Sequence, residues 1–304
     1  MDTVKTKQMI FQKDLLTNIL TTLLEVKKSE NKSENTLLYY EKENRHFLEW
    51  SARNNIFCIE DVTPNILRDY FAELKQRRNA GGVHASFRAI KVMFFFYEFE
   101  YEPENYHNPF HKVKIPAAKI QPLKGIEKED VQKMLNVFEG RNLSRNKAMI
   151  ACLASSGCRA NEFLDLNIED VNLITGSVRI KHGKGDKYRI TFIGKEAIKL
   201  LRKYLAKRTN LEPDSPLWLN ESNERMTVSG FRYLVYKYSK IAKIPRTGLH
   251  NFRRCFALSL YRKGVEILVI SKLLGHSSVE ITKRYLNITE EDLHLAHMKL
   301  DLFD

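Results

Sequence analysis

His250-Asn251-Phe252-Arg253, then Leu273-Leu274-Gly275-His276-Ser277-Ser278, then Tyr285 follow one another in the last third of this 304-residue chain. They group two imidazoles and a guanidinium with one phenol. The first three suit the holding of a phosphate, and a phenol oxygen can attack one. Upstream, Ser156-Gly157-Cys158-Arg159-Ala160-Asn161-Glu162 adds a second arginine. Between them, Gly183-Lys184-Gly185-Asp186-Lys187 places lysines on a glycine-punctuated loop.

Each motif has a local reading. His250 and Arg253 are spaced i, i+3, so a helix puts both on one face, and Gly248 before them can let the chain approach closely. Gly157 can end a helix, with Arg159 opening the next. That position would add a helix dipole to a guanidinium able to grip two phosphate oxygens; alone, the tetrapeptide reads as a surface arginine at a turn. Glu162 is placed to brace a neighbouring base, which an ordinary salt bridge would also explain. Ser277 reads as an N-cap with Glu280 completing a capping box, opening a helix that carries Tyr285 two turns on. Among 13 tyrosines, an isolated Lys283-Arg284-Tyr285-Leu286 would read as a half-buried helix anchor.

In order and spacing the set resembles the tyrosine recombinase (phage integrase) family, over nearly the whole chain. The resemblance implies that Tyr285 attacks the scissile phosphate while Arg159, His250, Arg253 and His276 hold it and Glu162 supports them. It also implies that Lys184 protonates the 5′ oxygen, with Lys181 and Lys187 as nearby rivals. Arg254-Cys255 departs from the His-Thr usual in the family at that point. Two arginines and the histidines can stabilise charge on the non-bridging oxygens. A covalent 3′-phosphotyrosine retains the bond energy, so rejoining needs neither metal nor ATP. Accordingly no phosphate-binding loop, His-Glu-x-x-His or clustered acidic metal site is read, and no cofactor is expected. His294 and His297 have helical spacing but read as exposed surface.

The remaining sequence supports a two-domain, mainly α chain. Residues 1–122 carry 18 Lys/Arg against 16 Asp/Glu, and 123–304 carry 32 against 21. A basic second half favours a polyanionic partner. Helical periodicity recurs over Leu15–Val26, Thr36–Trp50, from Thr63-Pro64 and over Val83–Phe99. This predicts a helical, SAM-like core-binding bundle over 1–107 that binds DNA. Residues 108–124 are proline-punctuated with Lys112, Lys114, Lys119 and Lys124. They read as a basic linker that either is solvated or follows a DNA backbone. A mixed α catalytic domain follows over 125–304. It begins with a helix near Ile126, forms a β-hairpin from Ser177–Lys181 and Tyr188–Ile193, and reads helical after Ala197.

From Leu286 to Asp304 there are five acidic residues and one lysine. This acidic, partly apolar tail helix either packs on its own domain or, as in related recombinases, docks on a neighbouring subunit. The cysteines Cys58, Cys152, Cys158 and Cys255 lack metal or disulfide spacing. With no apolar leader or span, the chain is expected in the bacterial cytoplasm, associated with the nucleoid and not with a membrane. The resemblance implies a clamp around double-stranded DNA with an inverted-repeat core site and a homotetramer on two sites. The resemblance also admits a second recombinase or an accessory DNA-bending protein as partner. A type IB topoisomerase, or a DNA-binding protein that kept the fold without catalysis, are the rival readings.

Overall fold

The computed structural model describes residues 15–114, 126–140, 142–181, 189–245, 247–283, and 286, 294 and 297. It divides into two compact units, Met1–Gln121 and Pro122–Asp304. Among the described residues no helix is long and apolar enough to cross a membrane.

The first unit contains α1 (Leu16–Ser29), α2 (Glu34–Arg53), α3 (Pro64–Arg77) and α4 (Ala80–Tyr101). Thr63 caps α3 as its sequence predicts, its side chain accepting from Ile66 N, with Pro64 in the first turn. Ser33 and Asn79 cap α2 and α4 in the same way. The core is aromatic: Phe47 of α2 meets Tyr70 at 5.1 Å and Phe94 at 6.0 Å between ring centroids. Buried Glu43 is paired with Arg78 at 2.6 Å, as a charge in a core requires.

Residues 108–114, read as linker, belong to this unit. Asn108 donates to Glu98 Oε2 at 2.8 Å and accepts from Phe110 N at 3.0 Å. It thereby starts a 3₁₀ turn, Pro109–His111, which inserts Phe110 between Phe87 and Phe94 at 5.1 Å from each ring. Local proline content resembled a linker, but Phe110 and Val113 are buried in the aromatic core. Lys119 and Lys124 lie outside the described residues.

The second unit opens with α5 (Lys128–Asn136), capped by Glu127 and Asp130, followed by α6 (Leu143–Ser156) and the short α7 (Ala160–Leu164). The strands β1 (Ser177–Ile180) and β2 (Arg189–Phe192) pair antiparallel, with Ile180 opposite Arg189. Then come α8 (Lys195–Leu205), α9 (Val228–Ile241), α10 (Leu249–Arg262), α11 (Ile267–Leu274) and α12 (Val279–Lys283). Helix α6 is central: Met149, Ile150 and Leu153 are fully buried in one cluster with Leu201 of α8 and Phe231 of α9.

Two expectations need correction. Residues 206–227, taken as helical, are mostly turns closed by a bridge between Leu219 and Arg225. Its apolar anchor Trp218 is fully buried, against Phe163 and Tyr204. At the start of α12, Ser278 and not Ser277 accepts from Glu280 N, at 3.2 Å. Glu280 instead pairs with Lys283 at 2.5 Å, so no capping box forms.

Candidate active site

Two chain reversals of the second unit bring several of these side chains together. Gly157 ends α6 at φ +64, and Gly275 ends α11 at φ +64. Both conformations favour glycine, and both backbones are also tightly covered. A Cβ on Gly157 would lie 2.4 Å from the Phe256 ring, and one on Gly275 would lie 2.6 Å from Arg189 Cδ. The carbonyls of these turns are gripped by arginines.

Arg253, on the second turn of α10, donates from Nη1 to Gly157 O at 2.8 Å and from Nη2 to Leu274 O at 2.6 Å. One guanidinium thus ties the ends of α6 and α11 to α10. It is 1% exposed and forms the floor of the site. Arg159, immediately before α7, keeps 35% of its side chain exposed and is the accessible cation. It donates to Glu162 Oε1 at 2.8 Å and to Gly275 O at 3.2 Å.

Glu162 is buried beneath both motifs. Besides Arg159, it receives Arg189 bidentately, at 2.9 Å to Oε1 and 2.6 Å to Oε2. Burial alone would raise its carboxyl pKa, but the hydrogen bonds from Arg189 and Arg159 outweigh that and hold it at about 2. Its supporting place is therefore physical: loss of this carboxylate would leave Arg189 buried and unpaired, which typically costs about 3–5 kcal/mol.

The histidines share this cationic environment. Desolvation, then the charges of Arg253, Arg159, Arg189 and His250, bring His276 down to about 4. Its Nδ1 lies 2.7 Å from Thr282 Oγ1, tying it to α12. His250 reaches solvent at the start of α10, yet desolvation by its surroundings and the charges of Arg253 and Arg159 also lower its pKa. Both imidazoles are accordingly neutral near pH 7. At Gly248 an added Cβ would meet open space.

Of the sequence-predicted set, the structure gathers Arg159, Glu162, His250, Arg253 and His276. Tyr285, Lys184 and Lys187 lie outside the described residues. Lys181 is held by Glu169 and by Asp170, the latter at 2.9 Å, and these partners raise its pKa. Cys255, the departure after the arginine, packs into the core, where burial pushes its thiol up to about 11. His294 and His297 are exposed.

The model of the phage integrase family matches residues 124–292. The tyrosine recombinase XerC of Leptospira interrogans is 30% identical, the match covering 90% of this chain and 89% of the relative. XerA of Pyrococcus furiosus is 29% identical, covering 96% of this chain and 97% of the relative. A crystal structure of the XerH recombinase on palindromic difH substrate, after cleavage, superimposes with a TM-score of 0.71 at 22% identity. That match covers 91% of this chain and 84% of the other.

Proposed function

Because the chain belongs to the phage integrase family of tyrosine recombinases, and so is a site-specific DNA recombinase, we propose that it cleaves duplex DNA through a covalent 3′-phosphotyrosine at Tyr285. The observation that carries this reading is the convergence of Arg159, Arg253, His250 and His276 around two chain reversals, where they influence one another's charge. Such pre-arranged donors match the charge that develops on a phosphate's non-bridging oxygens.

In the proposed step, Tyr285 Oη forms a bond to phosphorus as the bond from phosphorus to the 5′ oxygen breaks. Neutral His250 can accept the phenol proton, and Lys184 delivers a proton to the leaving oxygen. Lys181 is already committed to Glu169 and Asp170, which favours Lys184 as the source of the acid. Reversal on a new strand rejoins the DNA without nucleotide or metal. The direct test is a nicked duplex whose cleaved fragment diffuses away. The wild-type protein should remain covalently attached to the DNA, and its failure to do so would refute the reading.

The partner in this proposal is double-stranded DNA with an inverted-repeat core site. Part of the grip falls to the first unit. There a cavity of about 500 Å³ is lined by Tyr39, Tyr40, Arg88, Lys91 and Phe95, and Arg88 and Lys91 are exposed. Replacing both cations by alanine should flatten the dependence of log affinity on log salt by about 0.9 per lost phosphate contact. An unchanged slope in a binding titration would remove this surface from the interface.

The tail is assigned to subunit coupling within a tetramer on two sites. Exposed Leu268 (57%) and Val269 (45%) on α11 offer an apolar surface suited to it. Deleting residues 290–304 should abolish cooperative filling of two sites while sparing single-site binding. Unchanged cooperativity in a gel-shift titration would contradict the assignment.

A further inference from the structure

We propose that Arg189 is a positioning residue for strand cleavage: its bidentate grip on Glu162 and its contact with Gly275 set how Arg159 and His276 face the scissile phosphate. The inference rests on the phosphate-holding role given above to Arg159 and His276.

Arg189 is the first residue of β2, and its side chain is 11% exposed. Its fork occupies both carboxylate oxygens of Glu162, at 2.9 and 2.6 Å. Arg159 is left with a single side-chain bond to Oε1 at 2.8 Å, while its own backbone N takes Oε2 at 2.8 Å. Its second terminal nitrogen is thereby directed to Gly275 O at 3.2 Å. Without Arg189 the two oxygens would be open to Arg159, and a guanidinium prefers the parallel two-bond geometry with a carboxylate. Arg159 would turn into the protein and away from a phosphate.

Charge points the same way. Two guanidiniums sharing one carboxylate retain a net positive charge beside the substrate, whereas Arg159 and Glu162 alone would cancel. The stem of Arg189 also covers Gly275, where even a Cβ would come within 2.6 Å of its Cδ and 2.9 Å of its Nε. Gly275 immediately precedes His276. One side chain therefore supports both the accessible arginine and the turn that aims the histidine, without itself being placed to touch DNA.

The experiment measures single-turnover cleavage of the nicked duplex, DNA affinity and thermal unfolding for R189M, R189K and R189M/E162Q. R189M should cleave about 10- to 100-fold more slowly, the scale expected when a catalytic group is displaced by about an ångström, with affinity little changed. Adding E162Q to R189M should raise the rate, because an amide no longer draws in the fork of Arg159. A residue that merely holds the fold would instead give additive losses. Cleavage by R189M at the wild-type rate, or no gain from E162Q, would overturn the proposal. Should R189M fail to fold, R189K keeps the charge but not the fork; it should fold and cleave slowly, and wild-type cleavage by R189K would equally overturn it. Absence of a wild-type adduct would instead sink the underlying assignment of the reaction.

Discussion

Tyr285→Phe is expected to eliminate the covalent protein–DNA adduct while leaving DNA binding nearly intact. The substitution removes only the phenolic oxygen, the single atom through which the proposed linkage forms. Its loss from the ground-state complex deletes at most one hydrogen bond. Such a bond contributes about 0.5–1.5 kcal/mol, so affinity should change by less than about tenfold. Denaturing electrophoresis of the nicked-duplex reaction reads the adduct, and fluorescence anisotropy reads the binding. An undiminished adduct in this variant would place the nucleophile elsewhere.

The second large effect separates the two arginines by their burial. Arg159→Ala should slow cleavage by about 100- to 1,000-fold, the usual consequence of losing one preorganised donor at a developing anion. Its fold should survive, because Glu162 keeps both bonds from Arg189. Arg253→Ala should suppress cleavage at least as strongly and also destabilise the second unit. It strands the carbonyls of Gly157 and Leu274, each at a cost of about 1–3 kcal/mol when left buried and unsatisfied. Single-turnover rates and thermal melts together check this. A melting temperature lowered as much by Arg159→Ala as by Arg253→Ala would contradict the division into accessible cation and buried floor.

Much of this architecture was legible in the residues. Thr63-Pro64 marks a helix start because a hydroxyl cap and a proline meet the needs of a first turn. Gly157 marks a helix end because it can adopt a positive φ. The spacing of His250 and Arg253 places them together on α10, as the structure finds. What failed was local reasoning about segments whose conformation is decided at a distance. Residues 108–114 have linker-like composition, but Phe110 finds a place among Phe71, Phe87 and Phe94. Residues 206–227 follow a helical stretch, yet burial of Trp218 draws them into turns.

Arg189 escaped for a related reason. In Arg189-Ile190-Thr191-Phe192, hydrophobic alternation alone would bury Ile190 and Phe192. The observed register does the opposite, leaving them 56% and 52% exposed and burying Thr191. Thr191 Oγ1 donates to Ser156 O at 2.7 Å, and Arg189 on the same face meets Glu162. Polar partners on α6 and α7, not strand periodicity, chose the face. The only sequence signal was an acidic residue in the Arg159 motif with capacity for more than one base.

The most direct measurement is to trap the wild-type protein on the nicked duplex, digest protein and DNA, and locate the residual nucleotide by mass spectrometry. One modified peptide is expected, with the 3′-phosphate esterified to the phenolic oxygen of Tyr285. A nucleotide attached to any other side chain, or a cleaved duplex with no protein attached, would contradict it.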